Sequence, residues 1–275
     1  MNWSTWRQAT VEFPDWSRAE SAALAHLAPL LRAAEDEGAL TAWFIVRKSP
    51  CWRLRYLPAV SRPDRIGRGL NELAAAGHLT WTENIYEPEV HAFGGVEAMK
   101  GAHRLFHRDS RSLIDYLQGD VGDHRRELSL MLCSLLMRSA GLDWYEQGDV
   151  WARVGTHRAP PFDTDRDTLD RLHDAVGRLL RADPQYALRP DGPLAASAGW
   201  ASAYSAAGKE LALLNASGRL HRGLRDVLAH HVIFAWNRIG LPYATQATLA
   251  AAAKTVVFGP DPATERIATA SVEAP

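Results

Sequence analysis

Two β-rich runs with almost nothing between them constrain this chain more than any other feature. Thr41–Arg47 (TAWFIVR) and Cys51–Leu57 (CWRLRYL) are separated only by Lys48, Ser49 and Pro50. Alternating runs this close predict an antiparallel hairpin. Alternation in the second run puts Trp52, Leu54 and Tyr56 on one face and Cys51, Arg53 and Arg55 on the other. Further strands are predicted over Trp6–Phe13, closed by Pro14, and over Leu79–Tyr86. Between the first strand and the hairpin, Asp15 or Ser17 caps a helix that runs to about Glu37. Its residues Leu24, Leu27, Leu30 and Leu31 recur at helical spacing, and Gly38 ends it. A short helix is predicted over Asp64–Ala76.

From Gly95 onward the pattern is nearly all helical. The periodicity predicts helices over Val96–Leu117, Arg125–Ala140, Trp144–Arg153, Thr168–Ala182, Leu194–Ala216, Leu220–Arg238 and Gln246–Val256. Thr156–Asp167 and Asp183–Pro193 are polar and contain proline, and read as surface loops. The expected class is α+β: a small N-terminal sheet packed by helices, then a largely helical C-terminal two-thirds. One domain over 1–259 and a flexible tail over 260–275 are expected.

Composition narrows the function. The 275 residues can bury a full core. Thirty-one basic against thirty-two acidic residues give a net charge of −1, which argues against a broad phosphate-binding surface and direct tRNA or DNA binding. A local basic pocket is still allowed. Two cysteines, Cys51 and Cys133, provide neither a disulfide framework nor a thiolate zinc site. No apolar run approaches the roughly 18 residues that span a bilayer. The first residues lack the basic and apolar regions of a signal peptide. A cytoplasmic location away from membranes is expected. Ten tryptophans, several beside charges, fit a site that holds an extended ligand.

Five clusters could carry chemistry. Arg53 and Arg55 on one strand face, with Arg47 as a third cation across the hairpin, would make a carboxylate pocket; the same spacing fits solvated arginines. Tyr86, Glu87, Glu89 and His91 lie between a strand end and a helix start, beside Gly94 and Gly95; the acids could instead cap that helix. Asp109 and Ser110 could end or re-cap a helix, or hydrogen-bond a substrate. His230 and His231 point about 100° apart on a helix. One of them can therefore face a pocket as a general base, with Asn237 and Arg238 downstream. No spacing for a metal accompanies them. Trp144 and Trp151 fit core packing at i, i+7, or a peptide groove.

Taken in order, these motifs resemble a known family. Trp43–Arg47, Trp52–Arg55, Tyr86–Val90 with Phe93–Gly95, Phe106 with Asp109 and Ser110, and His230–His231 with Trp236–Arg238 carry the resemblance. The chain is similar, from Trp6 to Gly259, to stand-alone thiopeptide-type bacteriocin biosynthesis proteins. These are related to the C-terminal elimination domain of class I lanthipeptide dehydratases. The resemblance implies elimination of glutamate from glutamylated Ser or Thr of a precursor peptide, alongside a separate glutamylating subunit and without a cofactor. Arg53, Arg55 and Arg47 would then bind substrate, with Glu87, Glu89, Asp109, Ser110, Asn237 and Arg238. His231, His230 and Tyr86 would be catalytic. Related proteins form a pyridine ring by formal [4+2] cycloaddition of two dehydroalanines, and a non-catalytic peptide-binding subunit is a third reading. A homodimer is left open. Full-length dehydratases tend to carry an arginine at the position of Pro88 or Ala92, and histidines where Ile233 and Ala235 stand here.

Overall fold

The computed structural model describes residues 5–60, 62–119, 123–159, 166–182, 189 and 195–259, with only the backbone of 166–171. The expected tail, the Asp183–Pro193 loop apart from residue 189, and Leu194 lie outside the described residues.

Four strands, β1 (Arg7–Glu12), β2 (Leu40–Lys48), β3 (Cys51–Pro58) and β4 (Thr80–Asn84), form one antiparallel sheet in the order β2-β3-β1-β4. The register pairs Trp43 with Tyr56, Phe44 with Arg55, Ile45 with Leu54, Val46 with Arg53 and Arg47 with Trp52. Directly paired residues share a face. Ala9, Val11, Ile45, Trp52, Leu54 and Tyr56 pack into the main core with Leu27 and Leu31. The other face carries Phe44, Val46, Arg53 and Arg55. There Phe44 and Val46 join Trp6, Tyr86, Phe93, Met99, Ala102 and Phe106 in a second, mostly aromatic cluster.

The helix expected from Asp15 to Glu37 is segmented. Asp15 caps a 3-10 turn over Trp16–Arg18, accepting from the Ser17 amide at 2.8 Å. Next come α1 (Ala19–Ala22), a π turn over Ala23–Leu27 and α2 (Ala28–Asp36). Pro29, in the first turn of α2, has no N–H to donate to the carbonyl four residues back, and the π turn falls just before it. Helix α3 (Arg65–Ala75) is capped by Asp64.

Helix α4 (Val96–Gln118) runs unbroken through Asp109 and Ser110, so neither residue ends or re-caps it. Its N-cap is Gly95, at φ 112°, with no side-chain cap; the expected capping by Glu87 or Glu89 does not occur. Helix α4 covers the β2 edge, where open N–H groups need partners. The Ile45 amide donates to Ser110 Oγ at 3.1 Å and the Trp43 amide to His107 Nδ1 at 3.2 Å.

The remainder comprises α5 (Arg125–Ser139), α6 (Trp144–His157), α7 (Arg166–Arg181), α8 (Ala198–Ala216), α9 (Leu224–Ile239) and α10 (Tyr243–Phe258). Asp143 and Glu146 form a capping box on α6. Trp151 and Trp236 are buried and stack at 5.9 Å between α6 and α9, while Trp144 stays partly buried at the core margin. Helix α9 ends on left-handed Gly240. Among the described residues, no helix is long and apolar enough to cross a membrane.

Candidate functional site

Strand alternation delivers Arg53 and Arg55 to the same face, the one covered by the aromatic cluster. Arg53 is half-buried. Arg55, behind it, is 5% exposed; its Nε donates to Gln8 Oε1 at 2.8 Å, and Nη2 lies 4.0 Å from Glu89. Its guanidinium sits over the rings of Tyr86 (4.7 Å) and Phe44 (5.5 Å). Its Nη1 has no partner, nor does Glu89 Oε2. Burial disfavours the charge on Arg55. Tyr86 and Glu89 offset this, and the neighbouring cations Arg53 and Arg238 oppose it further. Arg238 already holds Asp109, whereas Arg53 and Arg55 have only Glu89 nearby, at 4.0 Å from Arg55 Nη2, so this pair is electrostatically short of an anion.

Tyr86 serves this arginine. Its hydroxyl pairs with His103 Nε2 at 2.7 Å, and burial pushes the phenol up, so it stays neutral. Burial also pulls His103 down to about 3, with Arg55 adding to the effect. Glu87 is exposed and Glu89 half-buried.

The two histidines of α9 differ. His231 is 2% exposed, against Phe93 and Phe106; neither ring nitrogen has a partner, and burial, Arg238 and His230 pull it down to about 3. His230 is half-buried and shares a helix face with Phe234 and Asn237, also half-buried. Its Nδ1 lies 3.2 Å from the Asp226 carbonyl, so Nδ1 carries the proton and Nε2 keeps a free lone pair. Burial lowers its pKa, as do Arg222 and His157, against the raising effect of Asp226. A neutral, reachable imidazole with an unprotonated Nε2 has the form of a general base. Three fully buried rings, Phe93, Phe106 and Phe44, stand between His230 and Arg55, at centroid spacings of 6.2, 5.3 and 5.2 Å from His230 inward, so the structure does not bring the two together directly.

Asp109, Ser110 and Arg238 belong to the scaffold. Asp109 accepts from Trp200 Nε1 at 2.5 Å, from Tyr204 Oη at 2.9 Å and from Arg238 Nε. Arg238 is fully buried over the Phe106 ring, with Nη1 and Nη2 unpaired. Ser110 is engaged by the β2 edge.

The expectation that Arg47 joins Arg53 and Arg55 is overturned by the register. Lys48 pairs with Cys51, so the hairpin loop holds two residues, Ser49 and Pro50, across a cis bond. A three-residue loop would pair Arg47 with Cys51; the one-residue difference turns its side chain to the opposite face. Arg47 stacks there on Trp52, at 4.6 Å. Asn237 accepts from Gln246 Nε2 at 3.1 Å, on the same side as Arg47.

Sequence reasoning missed Arg222. Its Nη1 reaches the carbonyl of Ala92 at 3.4 Å, which places a cation beside the loop that precedes Gly94. Arg222 precedes α9 by two residues and comes 130 residues after Ala92, a separation that hides the pairing from any local motif. Among the described residues, no group of three His, Cys, Asp or Glu side chains is arranged to hold a metal ion.

A family model described as "Lantibiotic biosynthesis dehydratase C-term" matches residues 6–257. Among solved structures, the chain is similar to MibB, a tRNA-dependent lantibiotic dehydratase from Microbispora sp. 107891, with 18% identity and a TM-score of 0.64. That match covers 98% of this chain and 29% of MibB, so the chain spans under a third of that protein's length. It is also similar to TsrL, with 17% identity, a TM-score of 0.62 and coverage of 94% of this chain and 99% of TsrL. The pyridine synthase TbtD from thiomuracin biosynthesis has 14% identity and a TM-score of 0.60, over 93% of this chain and 99% of TbtD. No curated protein matches the chain.

Proposed function

The chain belongs to the lantibiotic biosynthesis dehydratase C-terminal family, and from that premise we propose that it eliminates glutamate from glutamylated Ser or Thr of a ribosomally made precursor peptide. The observation that carries this reading is Arg55, a buried guanidinium with an unpaired Nη1, beside the like charge of Arg53. A glutamyl carboxylate between Arg53 and Arg55 supplies the missing counter-charge. His230 Nε2 takes the Cα proton of the modified residue. The electrons form the Cα=Cβ bond, the Cβ–O bond breaks, and glutamate leaves as its carboxylate. Charge developing on that leaving group is what the arginines favour. Tyr86 and Gln8 are positioning residues: they hold the Arg55 guanidinium in place. A separate subunit attaches glutamate from glutamyl-tRNA, in keeping with the near-neutral net charge here.

Mass spectrometry of the precursor peptide tests the reading. The peptide is incubated with the glutamylating subunit and glutamyl-tRNA, with and without this chain. Glutamyl adducts accumulate without it and convert to dehydroamino acids when it is added; Arg53→Ala/Arg55→Ala leaves the adducts in place. Dehydration already complete without this chain overturns elimination. That outcome supports instead a later formal [4+2] cycloaddition or a non-catalytic peptide-binding subunit, the latter motivated by Pro88 and Ala92 in place of the arginine of full-length dehydratases.

A further inference from the structure

On the opposite side of the hairpin, a cavity of about 620 Å³ lies among the tip of β2 and β3, the 3-10 turn before α1, Arg125 at the start of α5, Arg158 just beyond α6 and the α9–α10 junction. Its wall carries four cations, Arg47, Lys48, Arg125 and Arg158, against one carboxylate, Glu20. Glu20 is shared, taking Arg47 Nη1 and, at 2.6 Å, Arg125 Nη1. Arg125 also grips Asp123 with two bonds, of 2.7 and 2.8 Å. Arg158 is held by Gln246 Oε1 at 2.8 Å.

Arg47 is the built element. Its side chain is 9% exposed, clamped over Trp52 and tied through Nη1 alone. Nε and Nη2 are buried without a partner. These two nitrogens form the side-on edge of a guanidinium, the fork that takes both oxygens of a carboxylate. Gly240 leaves the room: a Cβ there would come within 2.6 Å of Arg47 Nη1, and its φ of 85° suits glycine. This buried donor pair lies in the wall of a cavity with excess positive charge, and a planar anion seated beside Arg47 supplies the acceptors it lacks.

We propose that this cavity is a second, separate carboxylate-binding site, in which the Nε–Nη2 edge of Arg47 takes the carboxylate and Arg125 and Arg158 supply the surrounding field. The carboxylate belongs either to a free amino-acid-sized dicarboxylate or to an acidic side chain of a bound peptide. The site does not depend on the elimination chemistry of the opposite face.

Isothermal titration of the full chain with L-glutamate, and separately with acetyl-tetraglutamate amide, tests it. The titrations use the Arg53→Ala/Arg55→Ala protein, so that glutamate held on the other face does not contribute, and the unmodified chain as reference. The expected result is one-site binding of at least one probe, weakened at least tenfold by Arg47→Gln and several-fold by Arg158→Gln. Arg158→Gln carries the test if Arg47→Gln does not fold. Binding of glutamate assigns a free dicarboxylate, and binding of the peptide alone assigns an acidic segment. No binding of either probe to either protein, or equal binding by the arginine variants, overturns the proposal.

Discussion

Replacing Asp109 with alanine tests the division between scaffold and site. Asp109 is 2% exposed and Arg238 fully buried, so removal of the carboxylate strands a guanidinium that water cannot reach. Breaking one partner of a buried ion pair costs about 3–5 kcal/mol. Trp200 Nε1 and Tyr204 Oη lose the same acceptor. Hydrogen bonds to a charged group contribute roughly 1.5–3 kcal/mol each, but these converge on one carboxylate and do not add independently. The expected loss is therefore about 5 kcal/mol, a large share of the roughly 5–15 kcal/mol that holds a domain folded. Urea unfolding followed by far-ultraviolet circular dichroism reads it; at a slope of about 3 kcal/mol/M the midpoint falls by about 1.7 M. Asp109→Leu combined with Arg238→Met removes both charges and recovers most of the loss. A loss below about 1 kcal/mol, or a double variant no more stable than Asp109→Ala, refutes the reasoning. Such a result returns both residues to the list of candidate substrate contacts.

Three further outcomes follow from the packing and the titrations. Ser110→Ala orphans the buried Ile45 amide and lowers stability by about 1–3 kcal/mol, read by the same unfolding assay. Gly208→Ala, in α8, drives a Cβ into the Leu136 carbonyl oxygen and to 2.7 Å from Ser139 Cβ, both of α5. Overpacking this crossing costs about 1–3 kcal/mol and lowers the melting temperature; an unchanged melting temperature shows that the helices part freely. His231 and His103 titrate near 3 in the fold, against about 6.5 unfolded. Between those values the unfolded chain holds protons that the fold does not, so stability is complete above pH 6.5 and falls as pH drops. Each histidine contributes up to about 1.4 kcal/mol per pH unit. Unfolding at pH 7.0, 5.5 and 4.5 should show a shallower decline for His231→Leu, and an equal slope contradicts the assignment.

Much of the frame was legible because it rests on short-range periodicity. The hairpin, the two faces of Trp52–Tyr56 and the helical remainder all emerge from alternation or 3.6-residue spacing. What stayed hidden depends on distant pairings. Asp109 and Ser110 sit mid-helix with side chains fully engaged, although their residue types signal caps. Ser110 serves a strand 65 residues away and Asp109 an arginine 129 residues away, and no local window contains either partner. The segmentation of the first helix had a visible cause in Pro29, which apolar periodicity alone passes over.

The position of Arg47 shows how little separates one site from two. Three residues stand between the β-rich runs, but the ladder extends one pair further, joining Lys48 to Cys51. Because strand side chains alternate with period two, that single extra pair moves Arg47 through the sheet. It leaves Arg53 and Arg55 with aromatic rings and Glu89, and gives Arg47 to Trp52, Glu20 and the cavity. A lengthened hairpin is the direct test of this logic. One glycine inserted between Ser49 and Pro50 leaves the ladder through Lys48 and Cys51 intact and both sites in place. Deleting Lys48 instead brings Arg47 opposite Cys51, on the face of Arg53 and Arg55, and removes the carboxylate fork from the cavity; because the same slip turns Trp43 and Ile45 out of the core, circular dichroism first establishes that the variant folds. In the deletion variant, glutamate or tetraglutamate binding at the cavity should fall at least tenfold while the inserted variant keeps it. Equal binding by the two would show that the register does not govern where this cation acts.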